Sequence, residues 1–571
     1  MLKDCLDVFK KIYDEEGEEF ILDSYTLSEG SYLLVNESGN IDRILEVEKK
    51  DNDTTDEDYK YFKQLDYLSK LIDMNKPIDP KKVIHSNNYL SFFIKKDNIN
   101  RNKLKEEIID GYYDALKNPL IKYKKEKAQM YKTMEEKYGQ VDGKKLERCR
   151  SWIKQNIFSI LESNNIKKDK NYLKIFFESG ISEYREENEK YLIPNIYNNT
   201  DYNIEIDGKI YGLPNDNMNL NSKKPFLENR SRKNSIPYLI DTDEVLIQKK
   251  FFDYLENKLA GGKNNIYVKE GYIDDLISDN ENKDDFTGYL IRIRKGKNGV
   301  EIHEFDTVTG FSKNIGEIYI DNILNIEYPD KYESMEYGYV KDINQLKSLV
   351  DSIYFNGKLN RNFFTKASDI NIYDSKVKFN LLKYRQVLFN WFYKGNDEVI
   401  KKVFYNLSID LIKNSIDKGR TILAKEQFNL MWGILGYFKG GSDMSDMLSD
   451  LTNSIRNKIN NDITQKIDND DEYYFLVGQL VSYLISRNKS NKKTHSLVNP
   501  ILNCKNDEKL KDEIIKLFKK YSYDIDKGNK RFNNMSAMVL GYIPEEDVKE
   551  DVLLCGYLHN NLLYETRKKE D

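Results

Sequence analysis

The stretch EYYFLVGQLVSYLISR, residues 472–487, repeats apolar side chains at the spacing of an α-helix. The same period recurs in KFNLLKYRQVLFNWFYKG (378–395), DEVIKKVFYNLSIDLIKNSI (397–416) and DEKLKDEIIKLFKKYSYDI (507–525). The segments YFKGGSDMSDM (437–447) and KIDNDDE (466–472) interrupt it. The sequence therefore predicts an all-helical C-terminal domain over residues 376–571.

The residues before this domain mix strand and helix patterns. FILDSYTLSEGSYLLVNESGNIDRILEV (20–47) alternates polar and apolar residues around a Gly-Asn turn, which indicates a β-hairpin or meander. NNIYV (264–268), GYLIRIRK (288–295) and VEIHEFD (300–306) read as short strands, and residues 241–262 as a helix capped by Asp241 or Thr242. We predict an α+β fold with an N-terminal α+β region (1–165), a mixed α/β middle region carrying a basic loop (166–375) and the helical domain.

Bulk composition limits the class of protein. Of 571 residues, 39% are hydrophobic and 12% aromatic, so large cores can form although 32% are charged. The four cysteines are scattered, which argues against a structural zinc site or a disulfide framework. The N-terminus lacks the apolar segment of a signal peptide, and no apolar run of about 18 residues occurs. We expect a protein of the reducing cytoplasm without a membrane partner.

Enzyme signatures are scarce. The four histidines, His85, His303, His495 and His559, form no HxH or HExxH motif. No phosphate-binding GxxxxGK[ST] loop, dinucleotide-binding GxGxxG turn or GxSxG elbow is present. We therefore predict no catalytic residue, cofactor or metal. The alternative left open is a metal-dependent nuclease acting on DNA or RNA through acidic residues such as those of EDVK (546–549).

Positive charge is concentrated in clusters although the chain is acidic overall, with 90 Lys+Arg against 95 Asp+Glu. Residues 117–150 hold eleven basic against five acidic residues. KKPFLENRSRK (223–233), LIRIRKGKNG (290–299) and SRNKSNKKTH (486–495) are also basic. Such clusters suit an extended polyanion, because each phosphate neutralised releases counterions. The alternatives are ordinary solvated surfaces or a scaffold that binds only protein.

Several long phrases resemble a known family. They are QLDYLSKLIDMNKPIDPKKVIHSNNYLSFF (64–93), PFLENRSRKNSIPYLI (225–240), LIQKKFFDYL (246–255), FLVGQLVSYLISRNKSNKKTHSLVNPIL (475–502), FNNMSAMVLGYIP (532–544) and LLCGYLHNNLLYE (553–565). The chain resembles the large subunit of the subtype I-B CRISPR Cascade complex, an RNA-guided antiviral surveillance assembly. The resemblance is weakest over residues 160–215 and 310–375.

The resemblance implies a non-catalytic subunit. Such a subunit binds near the 5′ handle of the guide CRISPR RNA, recognises the protospacer-adjacent motif in target double-stranded DNA and supports the displaced strand of the R-loop. Its implied partners are the backbone, handle-binding and small subunits of Cascade and the helicase–nuclease that cuts the target. The resemblance also implies that the C-terminal domain acts like a separate small subunit, and an internal start at Met431 could produce it alone.

The residues and the resemblance together predict a set of nucleic-acid contacts. In the loop at 223–234, a phosphate grip is expected from Lys223, Lys224, Arg230, Arg232 and Lys233, and base reading from Asn229 and Asn234. A second candidate, near the guide handle or the motif, comprises Asn75, Lys76, Asn87 and Asn88, where asparagines could equally cap turns. The remaining candidates are Lys122, Lys124, Lys125, Arg292, Arg294, Arg487, Lys489, Lys492 and Lys493, of which the last four are expected to follow single-stranded DNA.

Overall fold

The computed structural model describes residues 2–49, 55–215, 238–275, 285–296, 299–330, 332–439, 444–488, 495–526 and 528–565. The chain forms two compact units. Unit 1 comprises Met1–Ser278 and Gly288–Thr307, and unit 2 comprises Asp279–Thr287 and Val308–Asp571. The boundary between the units falls inside the range 166–375, which the sequence predicts as one region.

Unit 1 contains two four-stranded sheets and one three-stranded sheet. Its strands are β1 (Gly30–Val35), β2 (Ile41–Val47), β3 (Ser91–Lys95), β4 (Tyr172–Phe177), β5 (Ile204–Ile206), β6 (Lys209–Gly212), β7 (Ile240–Asp241), β8 (Asn265–Lys269) and β9 (Tyr272–Asp275), with residues 288–295 of β10 (Phe286–Lys295) and residues 300–307 of β11 (Val300–Phe311). The first sheet has the order β2-β1-β4-β3 and the second β11-β10-β8-β9. In the first sheet β1 pairs in parallel with β4, and the other neighbours are antiparallel.

Helices cover these sheets. They are α1 (Leu2–Glu16), α2 (Glu19–Leu22), α3 (Glu57–Ser69), α4 (Lys96–Asn100), α5 (Glu106–Lys117), α6 (Glu126–Tyr138), α7 (Gly143–Asn156), α8 (Ile160–Ser163), α9 (Ile181–Asn195) and α10 (Thr242–Ala260). The predicted hairpin is β1–β2, turning at Gly39, whose φ of 82° favours glycine. The sequence predicts an extended stretch from residue 20 onward, whereas residues 20–22 belong to α2.

Unit 2 contains the strand pair β12 (Ile318–Ile320) and β13 (Gly338–Val340), followed by helices. These are α11 (Ile343–Phe355), α12 (Ser375–Lys394), α13 (Glu398–Asp417), α14 (Thr421–Phe438), α15 (Met444–Asn460), α16 (Asp470–Ser486), α17 (Asn499–Leu502), α18 (Asp507–Tyr521), α19 (Lys530–Gly541) and α20 (Glu550–Leu558). The described part of 376–571 holds helices and no strand, so the predicted α+β class with a helical C-terminal region is confirmed.

Side-chain caps explain where the C-terminal helices begin. The side chain of Asp374 accepts hydrogen bonds from the first-turn amides of α12, and Asn469 and Asn506 do the same for α16 and α18. Gly395, with a φ of 68°, ends α12. Among the described helices, none combines the length and apolar character needed to cross a bilayer.

Met431 lies inside α14 and is fully buried. A polypeptide starting at this residue would lack Thr421–Leu430, the first half of the helix. The side chain therefore belongs to the core of unit 2, and the internal start stays a prediction.

Candidate nucleic-acid interface

Part of the predicted interface lies outside the described residues. This applies to the loop residues Lys223, Lys224, Asn229, Arg230, Arg232, Lys233 and Asn234, and to Lys489, Lys492 and Lys493 after α16. The other candidates have defined positions in one unit or the other.

Two of the predicted clusters in unit 1 meet in space. The loop before β3 is shaped by Asp79, whose carboxylate accepts hydrogen bonds from three backbone amides at 2.7–3.1 Å. Lys122, which follows a short 3-10 turn, donates its ammonium to the carbonyl of Pro77 in that loop. Lys76, beside Pro77, donates to the carbonyls of Asn195 and Tyr197, both at 2.6 Å. The loop containing Asn75 and Lys76 and the segment containing Lys122 are therefore adjacent.

This surface gathers more lysines than the prediction named. Lys127 lies 3.4 Å from the Asn195 side chain, and Lys82 donates to the exposed Asn75 at 3.3 Å. We call Lys76, Lys82, Lys122, Lys124, Lys125 and Lys127 the lysine patch. The sequence prediction does not include Lys82, in the phrase 64–93, or Lys127, in the basic run 117–150. Nothing in the sequence distinguishes these two residues from the neighbouring lysines.

Five of the six lysines in the lysine patch lack a paired carboxylate in the described part of the chain. They are Lys82, Lys122, Lys124, Lys125 and Lys127. Burial, with a smaller contribution from the neighbouring Lys127 ammonium, lowers the pKa of Lys122 to about 8, although the Asp79 carboxylate acts in the opposite direction. This ammonium therefore begins to lose its proton just above neutral pH. A bound anion would offset the repulsion from Lys127 and favour the charged form of Lys122.

The backbone at Lys125 adds to the case for function. This residue precedes α6 with φ 49° and ψ −127°, a conformation that a side chain other than glycine adopts at a cost of about 1–3 kcal/mol. Such outliers are frequent at ligand-binding sites. A strained lysine in an exposed basic turn fits a site that holds an anion.

Asn87 and Asn88 have a structural role instead. Both are buried, with exposed fractions of 1% and 0%. The Asn87 amide donates to the carbonyl of Lys70 at 2.8 Å and to Asn188 at 2.9 Å, and the Asn88 amide donates to Asn87 at 2.8 Å. These contacts fasten the turn before β3 to α9. Their geometry gives no support for contact with nucleic acid.

Other basic residues of unit 1 are held by neighbouring acids and amides. Arg150 contacts Asp110 at 2.7 Å and Asp114 at 2.9 Å, and Lys117, Lys137 and Lys145 also form ion pairs. Arg292 donates to Asn265 on the adjacent strand at 2.7 Å, and Arg294 lies 3.1 Å from Glu301 across the turn. Much of the positive charge counted along the sequence is therefore neutralised within the fold.

Unit 2 places Arg487 at the end of a ladder of aromatic rings. The rings of Phe518 and Phe532 stack at 6.0 Å, Phe532 lies 5.2 Å from Tyr483, and Tyr483 lies 5.7 Å from Tyr564. The end members are exposed, Phe518 by 41% and Tyr564 by 52%. We call Tyr483, Phe518, Phe532 and Tyr564 the aromatic ladder. Its members come from four separate segments, so no sequence period could reveal it.

The guanidinium of Arg487 completes the ladder. It lies 4.7 Å from the centre of the Tyr483 ring and 5.5 Å from that of Tyr564, and it donates to the Tyr564 hydroxyl. The nearest carboxylate contact, to Asp524, is 4.0 Å long. Of the two rings beside Arg487, Tyr483 is buried and Tyr564 is exposed. Exposed aromatic rings and arginine side chains are the groups on which nucleobases stack. The chain continues from Arg487 into the basic stretch around Lys489.

The possible metal ligands and the best-buried cysteines of the described residues bear on metal and nucleophilic chemistry. No cluster of three or more His, Cys, Asp or Glu side chains there could hold a metal ion. Burial raises the pKa of the Cys5 and Cys149 thiols to about 12, which makes them poor nucleophiles. His85 hydrogen-bonds to Tyr172 and the Lys82 carbonyl, and burial lowers its pKa.

No family model, curated protein or solved structure matches this chain.

Proposed function

We propose that the chain is a nucleic-acid-binding subunit of an RNA-guided complex of the subtype I-B Cascade kind, acting without catalysis of its own. The observation that carries the proposal is the aromatic ladder with Arg487 beside it, whose end rings Phe518 and Tyr564 are exposed while Tyr483 and Phe532 between them are buried. Stacking on such rings accepts any base, because every base has a π-face. A single strand displaced from a target duplex is the ligand that this surface fits best.

The lysine patch of unit 1 would add electrostatic attraction for phosphates to the base stacking on the aromatic ladder. Lysine ammonium groups attract phosphates regardless of base sequence, and we assign the lysine patch to contact with the phosphate backbone. From the sequence resemblance we assign the wider roles: binding near the guide-RNA handle, recognition of the adjacent motif in duplex DNA, support of the R-loop and recruitment of the helicase–nuclease. Base reading is assigned to the loop containing Asn229 and Asn234.

The ladder can be tested with the full chain and a fluorescent 20-nucleotide oligo-dT. We expect Phe518→Ala with Tyr564→Ala to weaken binding about tenfold or more, since each stacked base contributes about 1–3 kcal/mol. The salt dependence should be retained, because no phosphate contact is removed. Fluorescence anisotropy across a salt series measures both quantities.

Tyr373→Ala is the matched control, because Tyr373 also lies in unit 2 and is 98% exposed. It should leave the affinity unchanged. Equal binding by the control and the ladder variant would show that the ladder is only a packing feature of unit 2.

The RNA-guided assignment has a separate test. The chain is assembled with guide RNA and the other Cascade subunits, and binding is measured on target duplexes with a randomised adjacent motif. We expect motif-dependent opening of the duplex, with the preference lost in a variant carrying alanine at Asn229, Arg230, Arg232 and Lys233 while assembly persists. Failure of the wild-type chain to assemble would overturn the assignment. Magnesium-dependent cleavage by the chain alone, abolished by EDTA, would favour the nuclease alternative.

A further inference from the structure

A different surface of unit 2 is acidic and rich in tyrosine. Residues 316–342 contain seven Asp and Glu against two Lys, together with five tyrosines. The net charge of this short segment thus equals the −5 of the whole chain. A surface of this sign repels nucleic acid, so it needs an explanation separate from the interface described above.

The segment is fixed along one face of α14. Glu426 accepts hydrogen bonds from the Tyr332 hydroxyl at 3.0 Å and from the Met335 amide at 3.2 Å. One turn further, the Asn429 amide donates to Asn322 at 3.1 Å and to the Tyr337 hydroxyl at 3.2 Å.

The next turn of the same face holds the strand pair. A Cβ added at Gly433 would lie only 2.9 Å from the carbonyl oxygen of Tyr319, so β12 packs directly on the helix there. Glu426, Asn429 and Gly433 follow the helical spacing of a single face. The segment is therefore anchored by buried polar contacts at several points and presents a defined outer surface.

Tyrosine rings are exposed on that outer surface. Tyr319 and Tyr339 are a directly paired couple on β12 and β13, with ring centres 4.9 Å apart and exposed fractions of 52% and 66%. Tyr332 is 38% exposed and stacks on Tyr328 at 5.7 Å. Held in place by the fold, such rings can be covered at little cost in conformational entropy, and tyrosine is enriched at the centres of protein interfaces.

Exposed carboxylates accompany these rings. They belong to Glu317, Glu327, Asp330, Glu333 and Glu336. Within the part of the chain that the structure describes, none of the five forms an ion pair. Their charge is thus available to an external cation, since the local lysines are too few to balance it.

We propose that this surface docks an arginine-rich segment of a partner protein. We call it the acidic tyrosine face, defined by Tyr319, Glu327, Asp330, Tyr332, Glu333 and Tyr339. Arginine matches both features, because its planar guanidinium stacks on tyrosine rings and pairs with carboxylates through two parallel hydrogen bonds. Opposite charge would also speed the encounter with a basic partner. The proposal does not depend on the RNA-guided assignment.

The test uses the full chain and a synthetic peptide of five Gly-Arg repeats, with five Gly-Lys repeats for comparison. We expect the arginine peptide to bind more tightly. Tyr319→Ala with Tyr339→Ala, and separately Glu327→Gln with Asp330→Asn and Glu333→Gln, should each raise the Kd about fivefold or more, the effect of losing about 1 kcal/mol of interface energy. Isothermal titration calorimetry measures the Kd, and circular dichroism checks folding.

Matched controls remove the same groups elsewhere in unit 2. They are Tyr373→Ala and the triple variant Asp450→Asn, Glu508→Gln and Asp512→Asn, whose carboxylates are also exposed. Both should bind the peptide like the wild type. If the control and face variants weaken binding equally, attraction is a matter of bulk charge and the proposal fails. A loss of oligo-dT binding in the Tyr319 and Tyr339 variant would instead assign the face to nucleic acid.

Discussion

Gly556→Ala is expected to destabilise unit 2 by about 3 kcal/mol, the upper part of the range for overpacking a core. A Cβ at Gly556 in α20 would lie 2.1 Å from the carbonyl oxygen of Phe475 in α16 and 2.8 Å from its carbonyl carbon. Both atoms belong to helix backbone, so no side-chain rotation can relieve the clash. The helices would have to move apart.

That separation is opposed by a second close approach and by hydrogen bonds. A Cβ at Gly478 in α16 would lie 2.3 Å from the carbonyl oxygen of Leu553 in α20. Beside this crossing, the buried side chain of Gln479 donates to the Gly556 carbonyl at 2.6 Å and accepts from the Leu562 amide at 2.8 Å. Separating the helices would leave these buried groups without partners, which adds a cost of about 1–3 kcal/mol per group.

Urea unfolding of the full chain measures the change in the free energy of unfolding. Hydrogen exchange of the α16 amides shows whether the lost stability is located at this helix pair. Gly111→Ala is the control, because Gly111 lies within α5 and its added Cβ would meet no atom within 4 Å beyond the adjacent backbone of that helix. That substitution should stabilise by about 0.5–1 kcal/mol through the higher helix propensity of alanine. A change below about 0.5 kcal/mol for Gly556→Ala would show that the two helices can repack freely.

This helix crossing marks a limit of prediction from sequence. The helices themselves are evident, because apolar residues repeat at their period over whole segments such as 472–487. Nothing in that pattern shows that Gly478 meets residue 553 or that Gly556 meets residue 475. Similarly, the β1–β2 hairpin is local and readable, whereas the parallel pairing of β1 with β4 joins residues more than 130 positions apart.

The candidate interface shows the same division. Lys76, Lys122, Lys124 and Lys125 could be selected as basic residues, but their meeting depends on a contact between Lys122 and the Pro77 carbonyl that no spacing predicts. The asparagine pair was selected for its chemistry, yet Asn188 from the distant helix α9 holds Asn87 inside the fold. Side-chain chemistry can be read from sequence, whereas burial depends on long-range packing.

A second large effect is expected at Asp66, which joins α3 to the central strand β4. Its carboxylate lies 2.6 Å from the ammonium of Lys174 and accepts a hydrogen bond from Tyr25 at 2.7 Å. Asp66 is 1% exposed and Lys174 8% exposed. The Lys174 ammonium also lies 5.0 Å from the centres of the Tyr32 and Phe93 rings. Within the described residues, Asp66 is the only carboxylate that pairs with Lys174.

Asp66→Asn should destabilise unit 1 by about 3–5 kcal/mol, because it leaves the buried cation of Lys174 without a counter-charge. Replacing both partners, as Asp66→Leu with Lys174→Met, should recover most of that loss, since two apolar side chains of similar size carry no desolvation penalty. Urea unfolding of the single and double variants, with hydrogen exchange of β4 amides, separates the two cases. If the double variant is as unstable as Asp66→Asn, the fit of the Asp66 side chain and its hydrogen bond with Tyr25, and not the charge pair, hold α3 on the sheet. If it recovers, the loss in Asp66→Asn comes from the unpaired ammonium.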